Sequence, residues 1–308
     1  MSTLDRFRAD LARLVPLPAR IGVAVSGGPD SMALLWLAQA ACPAAVEAAT
    51  VDHGLRPAAA DEAAMVATWC AAHDIPHAIL RPAQPITGNI QSAARAARYA
   101  LLEQWRAERG LHVVLTAHHA DDQLETLLMR LNRGSGVSGL AGVRARSGTI
   151  ARPLLAWRKA ELVALAQDQG LPFADDPSNA DPRFDRAALR RHLATADWLD
   201  PVAAGRSAAA LADAQEALDW CVAEIVARHI VTESERYSLT ETAFPREIQR
   251  RLLLHMLALA DPLGRPPRGA ALDAALVQLN AGERTMLGDW LIDGGARWTL
   301  AAAPTRKS

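Results

Sequence analysis

The stretch Ile21-Gly22-Val23-Ala24-Val25-Ser26-Gly27-Gly28-Pro29-Asp30-Ser31 decides the fold of this 308-residue chain. Its first five residues are mostly apolar, as in a buried strand, and a helical pattern begins directly after the two glycines. Gly27 and Gly28 lack a Cβ, so the backbone can turn tightly there and a ligand can come close. Pro29 is typical of the first position of a helix. The N–H groups and positive dipole end of that helix would face the turn, which favours a phosphate-binding loop. A βα turn that binds nothing is the alternative.

Two better-known phosphate loops do not fit this stretch. The P-loop pattern needs a lysine in the loop, and the chain has only Lys159 and Lys307. The dinucleotide fingerprint G-x-G-x-x-G fails on spacing. The stretch instead resembles the SGGxDS loop of the N-type ATP pyrophosphatases. That resemblance implies that the ATP phosphates are held by one short segment, here called the phosphate loop: Ser26, Gly27, Gly28, Pro29, Asp30 and Ser31.

Composition indicates an ordinary globular protein. Half of the residues are hydrophobic, the net charge is −1, and no run of about 18 apolar residues is present. The first 20 residues lack the apolar core of a signal peptide, so we expect a cytoplasmic location. The three cysteines, Cys42, Cys70 and Cys221, are far apart and form no C-x-x-C pair. We therefore expect neither a zinc site nor an iron–sulfur cluster.

Strand and helix patterns alternate through the first 200 residues. Strand-like segments occur at 21–25, 46–51, 77–80, 112–116 and 149–154. This alternation predicts an α/β fold with a doubly wound, mostly parallel five-stranded sheet and helices on both faces. Residues 201–308 read as a long linker helix followed by a smaller, mainly helical domain. Its terminal hairpin is indicated by Asp293-Gly294-Gly295 between two short strand-like segments at 286–292 and 297–301.

Three of the predicted strands end in polar clusters, namely Ser26–Ser31, Asp52–Arg56 and His118–Asp122. Ligands of open α/β sheets bind outside the carboxyl ends of the strands. We therefore expect the three clusters to share one site. A set of ordinary polar turns would require three independent coincidences.

The third cluster continues into a helix with more acidic residues. Asp121 and Glu125 are four residues apart, and Asp122 and Glu125 are three residues apart. All three side chains can therefore face one site at the carboxyl end of the sheet. Simple compensation of the helix dipole is the alternative. Arginines also cluster, at 144–158, 183–191 and 246–251, which favours local phosphate binding despite the neutral total. A general preference for arginine over lysine would explain the same clusters.

Several motifs together carry a more specific resemblance. They are, in chain order, Val51–Arg56, Arg95–Tyr99, Thr116–Thr126, Arg133–Gly136 with Gly139-Leu140, Arg152–Leu155 and Asp176–Asn179. In this combination the chain resembles the tRNA(Ile)-lysidine synthetase family over about residues 18–195. The resemblance implies ATP-dependent adenylation of C2 of the wobble cytidine in an isoleucine tRNA with a CAU anticodon. The ε-amine of free lysine then displaces AMP, and the resulting lysidine makes the tRNA read AUA.

The resemblance also suggests roles for individual residues. The catalytic candidates are Asp30, His118, Asp122 and Glu125. ATP would be bound by the phosphate loop with Asp52 and His53, and Mg²⁺ by Asp30 and Asp122. Lysine would contact Asp121 and Glu125. The tRNA would contact Arg95, Arg98, Arg186 and Arg190, and the helical domain within residues 201–308 would bind its anticodon stem.

The chain departs from the family pattern at two places. Arg186 is followed by Ala187 where the family often has asparagine, and the region after residue 200 is too short for a second C-terminal domain. Contacts to the acceptor stem are therefore in question, and homodimer formation is left open. The alternative functions are tRNA thiolation or small-molecule amidation by another enzyme of the PP-loop type, or a non-catalytic nucleotide-binding module. The cysteine spacing disfavours thiolation.

Overall fold

The computed structural model describes residues 1–54, 58–84, 90–174 and 185–303. The chain forms two compact units, Met1–Ala212 and Asp213–Ser308, called the first and second unit below. The division falls inside one long helix. Within the described ranges, no helix is both long and apolar enough to cross a membrane.

The first unit is built on a six-stranded sheet. Its strands are β1 (Ile21–Ala24), β2 (Val46–Val51), β3 (His77–Leu80), β4 (Val113–Leu115), β5 (Arg146–Ser147) and β6 (Ile150–Ala151). The spatial order is β3-β2-β1-β4-β6-β5, and every pair is parallel except β5 with β6. The predicted doubly wound, mostly parallel sheet is confirmed. It has one strand more than predicted, because a turn through Gly148 (φ +57°) folds two residues back onto β6.

Helices cover both faces of this sheet. They are α1 (Thr3–Ala12), α2 (Pro29–Ala41), α3 (Ala58–Ala72), α4 (Ile90–Arg109), α5 (Ala120–Asn132), α6 (Val137–Leu140), α7 (Lys159–Asp168), α8 (Asp185–Leu193) and α9 (Pro201–His229), the last shared by the two units. Successive strand residues point to opposite faces. In β4, Val113 and Leu115 join the larger buried cluster with α1, α2, α3 and α7, whereas Val114 packs with Leu102 and Trp105 of α4.

The strand order places a topological switch point between β1 and β4. β1 pairs with β2 on one side and with β4 on the other, so the chain runs outward to β3 and then returns across β1. Sheets of this kind bind ligands at the carboxyl ends beside such a point. The phosphate loop follows β1, and the segment Thr116–Asp122 follows β4. Two of the three polar clusters therefore lie side by side.

The second unit combines helices with an antiparallel sheet of five strands. Its elements after α9 are β7 (Ile230–Glu233), β8 (Arg236–Leu239), α10 (Arg246–Ala260), α11 (Gly269–Asn280), β9 (Arg284–Leu287), β10 (Trp290–Asp293) and β11 (Trp298–Ala302). The sheet order is β7-β8-β11-β10-β9, packed on α10 and α11 through a core that includes Trp298. The Asp-Gly-Gly turn joins β10 to β11. The segment predicted as one strand over 286–292 is two strands, because Gly288 (φ +62°) reverses the chain.

Candidate active site

The phosphate loop joins β1 to α2 as a turn that its own hydroxyl groups hold in shape. Gly27 has a φ of +86°, which favours glycine, and Gly28 is the N-cap before Pro29. The buried Ser31 hydroxyl accepts the Ser26 N–H at 3.1 Å and donates to the Gly28 carbonyl at 2.9 Å. The loop is thus preformed. Pro29 carries no N–H, and the Ser31 and Met32 N–H groups both donate to the Gly28 carbonyl at 3.1 Å, so the attraction of this helix end for an anion comes mainly from the helix dipole.

His119 links the N-termini of α2 and α5. It is the N-cap of α5: its Nδ1 accepts the Asp122 N–H at 3.3 Å, and the Asp122 carboxylate accepts the His119 N–H at 3.1 Å. Its Nε2 lies 3.7 Å from Oδ2 of Asp30 and 3.5 Å from Oδ2 of Asp122. Among the described residues, Oδ1 of Asp30 is buried without a hydrogen-bond partner. A buried carboxylate oxygen without a donor is costly, so this atom marks a position for a ligand cation or donor.

The protonation of His119 depends on two opposing effects. Burial alone would lower its pKa, because this residue is 4% exposed and desolvation penalises the imidazolium. The carboxylates of Asp30, Asp122 and Asp121 outweigh burial, and the net result is a raised pKa. The cap hydrogen bond requires an unprotonated Nδ1, so neutral His119 carries its proton on Nε2, which faces Asp30. The imidazole can therefore hold or release a proton between two carboxylates.

Two arginine–carboxylate pairs lie beside this cluster. Arg190 of α8 binds both oxygens of Glu125 at 2.6 and 3.1 Å, and Glu125 is 3% exposed. Arg158, just before α7, donates to Asp121 at 3.2 Å, and the Lys159 N–H donates to the same carboxylate at 2.8 Å. Burial would raise the pKa of Asp121, but these donors and the Arg158 charge lower it overall. The Asp121 carboxylate is therefore ionised at neutral pH.

A cavity of about 390 Å³ opens next to these pairs. One wall is lined by the polar residues Asp121, Glu125, Arg158, Lys159 and Arg190, together with Leu124. The other wall is supplied by α8, the turn after it and the first residue of α9, with Leu193, Ala194, Ala196, Asp197, Leu199 and Pro201. The lining combines charged groups of both signs with leucine side chains, a combination that suits a zwitterion with an aliphatic chain. We call this space the α5–α8 cavity.

A second cavity, of about 170 Å³, lies at the carboxyl ends of β1 and β2. Its polar lining includes Ser26, His53, Glu62 and Arg98. Burial lowers the pKa of His53, and the charge of Arg98 lowers it further, so this imidazole is neutral at pH 7. Its Nδ1 is buried and has no hydrogen-bond partner among the described residues. We call this space the β1–β2 cavity, and its unpaired nitrogen can bind a polar group of a ligand.

Asp52 has a supporting position beside His53. Its carboxylate accepts the Gly54 N–H at 2.9 Å and Nε of Arg81 at 3.0 Å. The Gly54 hydrogen bond, followed by the Arg81 contact, lowers the pKa of this carboxyl group. Asp52 thereby fixes the turn that follows β2.

The other residues predicted for the site do not all lie beside Asp30 and Asp122. His118 points to Thr116, with Nδ1 3.0 Å from its Oγ1. Arg95 is exposed on α4 and its guanidinium lies over the Tyr99 ring, whereas Arg98 lines the β1–β2 cavity. The Arg186 side chain, the motif Asp176–Asn179 and residues 55–57 lie outside the described residues.

Sequence reasoning missed two members of the site. His119, rather than His118, faces Asp30, and the available signal was the spacing of a capping box, with Asp122 at the third helical position. The sequence marks Arg158 only as one member of the cluster of arginines at 144–158. No local pattern marks it as the partner of Asp121, because the two residues are 37 positions apart.

The donor set suits Mg²⁺ better than zinc. Within the described residues no three His, Cys, Asp or Glu side chains group together as a ready-made metal site. Mg²⁺ commonly uses one or two carboxylates and completes its shell with phosphate oxygens and water. Asp30, with its unpaired buried oxygen, and Asp122 are the residues that fit this role.

Comparisons with known proteins agree with this geometry. A family model described as a PP-loop domain matches residues 4–196. The tRNA(Ile)-lysidine synthase of Zymomonas mobilis is 40% identical over 95% of this chain and 91% of its own length. That of Novosphingobium aromaticivorans is 43% identical over 99% of this chain and 95% of its own length. These alignments include the second unit as well as the first.

A solved structure supports the fold alone. The U34-tRNA thiolase NcsA from Methanococcus maripaludis superposes with a TM-score of 0.51 at 16% identity, over 67% of this chain and 76% of the thiolase. At this identity the likeness extends to the architecture of the sheet and its helices.

Proposed function

Because the chain belongs to the tRNA(Ile)-lysidine synthase family of PP-loop proteins, we propose that it attaches lysine to C2 of the wobble cytidine in an isoleucine tRNA with a CAU anticodon. ATP would be cleaved to AMP and pyrophosphate, and the reaction would take place in the cytoplasm. The observation that carries the proposal is the cluster of Asp30, His119 and Asp122 at the switch point, between a preformed phosphate loop and an amino-acid-sized cavity.

The nucleotide would span the phosphate loop and the β1–β2 cavity. The N-terminus of α2 would supply positive dipole charge for the phosphates. The neutral His53, with its unpaired Nδ1, can hydrogen-bond to the nucleoside. Arg98 lines the same cavity, which supports an ATP contact better than the tRNA contact expected from the sequence.

Adenylation places negative charge on the phosphate oxygens as the bond to pyrophosphate breaks. The O2 oxygen of the cytidine would attack the α-phosphorus, and pyrophosphate would leave. Asp30 and Asp122 would hold Mg²⁺, which when bound neutralises developing phosphate charge. His119 would position both carboxylates, because its ring contacts Asp30 on one helix and caps the other helix at Asp122.

Lysine would occupy the α5–α8 cavity. Its carboxylate can pair with a guanidinium of Arg158 or Arg190, and its amines with Asp121 or Glu125. The ε-ammonium must lose a proton before its nitrogen can attack C2 and displace AMP. A carboxylate at this end of α5 would accept that proton.

The tRNA would be bound by both units. Arg95, exposed on α4, is available for a phosphate contact. Arg190 binds Glu125 directly and would act at the α5–α8 cavity, whereas Arg186 would contact the tRNA. The second unit, across which the relatives also align, would hold the anticodon stem.

Lysine incorporation tests this function. Purified protein is incubated with ATP, Mg²⁺, labelled lysine and the isoleucine tRNA, and the modified nucleoside is measured by mass. We expect product only when all components are present, and an Asp122→Asn loss of about 100-fold or more in kcat. The control is Asp168→Asn, an exposed aspartate on α7 that is not in the site. Incorporation of sulfur, or amidation of a small molecule, with no lysine transfer to tRNA would overturn the proposal.

A further inference from the structure

A short turn between α8 and α9 presents one tryptophan to solvent. The Leu199 N–H donates to the Ala196 carbonyl at 3.1 Å, which closes a four-residue turn with Trp198 at its third position. Asp200 fixes the exit of the turn, because its side chain accepts the Val202 N–H at 2.8 Å at the start of α9. Hydrogen bonds therefore hold the turn at both ends and fix the backbone that carries Trp198.

Trp198 is unusually exposed for this chain. Its exposed fraction is 79%, whereas Trp157 and Trp105 in the same unit are 2% and 4% exposed. Burying a large apolar side chain stabilises a folded protein, and Trp198 gains little of this stabilisation because its indole stays exposed. A rigid turn that keeps an indole in water is well suited to an external partner.

The location of the turn indicates where that partner lies. Ala196, Asp197 and Leu199 all line the α5–α8 cavity, so Trp198 is carried on the rim of the proposed lysine site. The last turn of α8 is basic and contains Arg190, Arg191 and His192. Arg191 is exposed, which supplies a cationic side chain at this end of α8 for a phosphate backbone.

We propose that Trp198 is a stacking platform for an unpaired base of the RNA loop that carries the target cytidine. This inference rests on the proposed function, which requires that loop to reach the rim of the α5–α8 cavity. Sequence-specific RNA recognition relies on unstacked bases that stack on aromatic side chains. Such a contact is worth about 1–3 kcal/mol per base when the aromatic residue is replaced by alanine. Trp198 would thus be a positioning residue that holds the loop while C2 reacts.

Equilibrium binding of the tRNA, measured without lysine, tests the role of Trp198. We expect Trp198→Ala to raise the Kd for the tRNA by about 5- to 150-fold, and Trp198→Phe to restore most of the affinity. The KM values for ATP and lysine, and the Tm, should stay close to wild type because the exposed indole packs against little. Leu131→Ala is the control, because Leu131 is a second exposed apolar side chain of the first unit, at 60%, and lies outside the cavity lining.

Three results would overturn the inference. One is tRNA affinity in Trp198→Ala equal to that of wild type, and a second is a Trp198→Phe variant as weak as Trp198→Ala. An equal loss in Leu131→Ala would also overturn it, because the effect would then be nonspecific. Lysidine formation by the wild-type protein is measured in parallel. If wild type forms lysidine and Trp198→Ala binds normally, only the stacking role fails; if wild type forms none, the proposed function fails.

Discussion

Oδ2 of Asp30 lies 3.7 Å from Nε2 of His119, so the phosphate loop is joined to the N-terminus of α5 by a carboxylate and an imidazole. The contact crosses from the element after β1 to the element after β4. These two strands flank the switch point, where the chain reverses its direction across the sheet. The contact therefore couples the proposed ATP and lysine subsites.

Replacing His119 by asparagine should separate its structural and chemical roles. Asparagine is a good N-cap, so the cap of α5 should be retained and stability should fall by less than about 1 kcal/mol. The contact with Asp30 is lost, and we expect kcat for lysidine formation to fall about 10- to 100-fold. Ser2→Asn is the matched control, because Ser2 caps α1 with the same capping box. Equal activity in the two variants would contradict the role of His119.

The imidazole of His119 should titrate above its ordinary value of 6.5 in the folded protein. Nuclear magnetic resonance of the histidine rings measures this directly, and Asp30→Asn should lower the pKa because burial remains while one carboxylate is neutralised. A folded-state pKa above the unfolded one stabilises the protein below about pH 6.5, and this contribution disappears as pH rises through the folded value. The stability difference between wild type and His119→Asn should accordingly shrink from pH 6 to pH 9. A difference independent of pH would argue against a charged His119.

Glu125→Gln should affect both stability and lysine binding. It removes the charge partner of Arg190 at a buried position, and we expect a loss of about 1–3 kcal/mol by chemical denaturation, below the full buried-pair value because Arg190 is partly exposed. The KM for lysine should rise about 10-fold or more, since one wall of the α5–α8 cavity loses its carboxylate. Glu224→Gln breaks an exposed pair with Arg228 and should change stability by no more than about 0.5 kcal/mol. A lysine KM unchanged in Glu125→Gln would remove Glu125 from the lysine site.

Gly27→Ala should damage the phosphate loop in two ways. The φ of +86° is strained for alanine, and the new Cβ would lie 3.3 Å from Cβ of Glu62. We expect about 1–2 kcal/mol of destabilisation from the backbone and a severalfold rise in the KM for ATP. Gly282→Ala isolates the backbone effect, because Gly282 has a φ of +80° with nothing within 4 Å of the added Cβ. If both variants kept the wild-type KM for ATP, the loop would not be the phosphate site.

Much of the fold could be predicted because its signals are local. The strand periods, the Gly-Gly turn and the caps concern residues that are neighbours along the chain. The two-residue strand β5 and the four-residue strands β7 and β8 are not predicted, because these short segments show no clear period and are defined by their pairing. Gly288 likewise divides a run that the sequence pattern presents as one strand.

The sequence by itself determined the α/β class, the phosphate loop and the set of polar residues at the strand ends, because each depends on residue type and short-range spacing. The tertiary structure alone decided how those residues pair. Glu125 binds Arg190 across 65 positions, and His119, not His118, faces Asp30. Burial then determined the chemical properties of these groups. It left Oδ1 of Asp30 without a hydrogen-bond partner, and at His119 it opposes the carboxylates that raise the pKa of the imidazole. Distances and solvent exposure arise only when segments remote in the chain pack together, so no local pattern contains them.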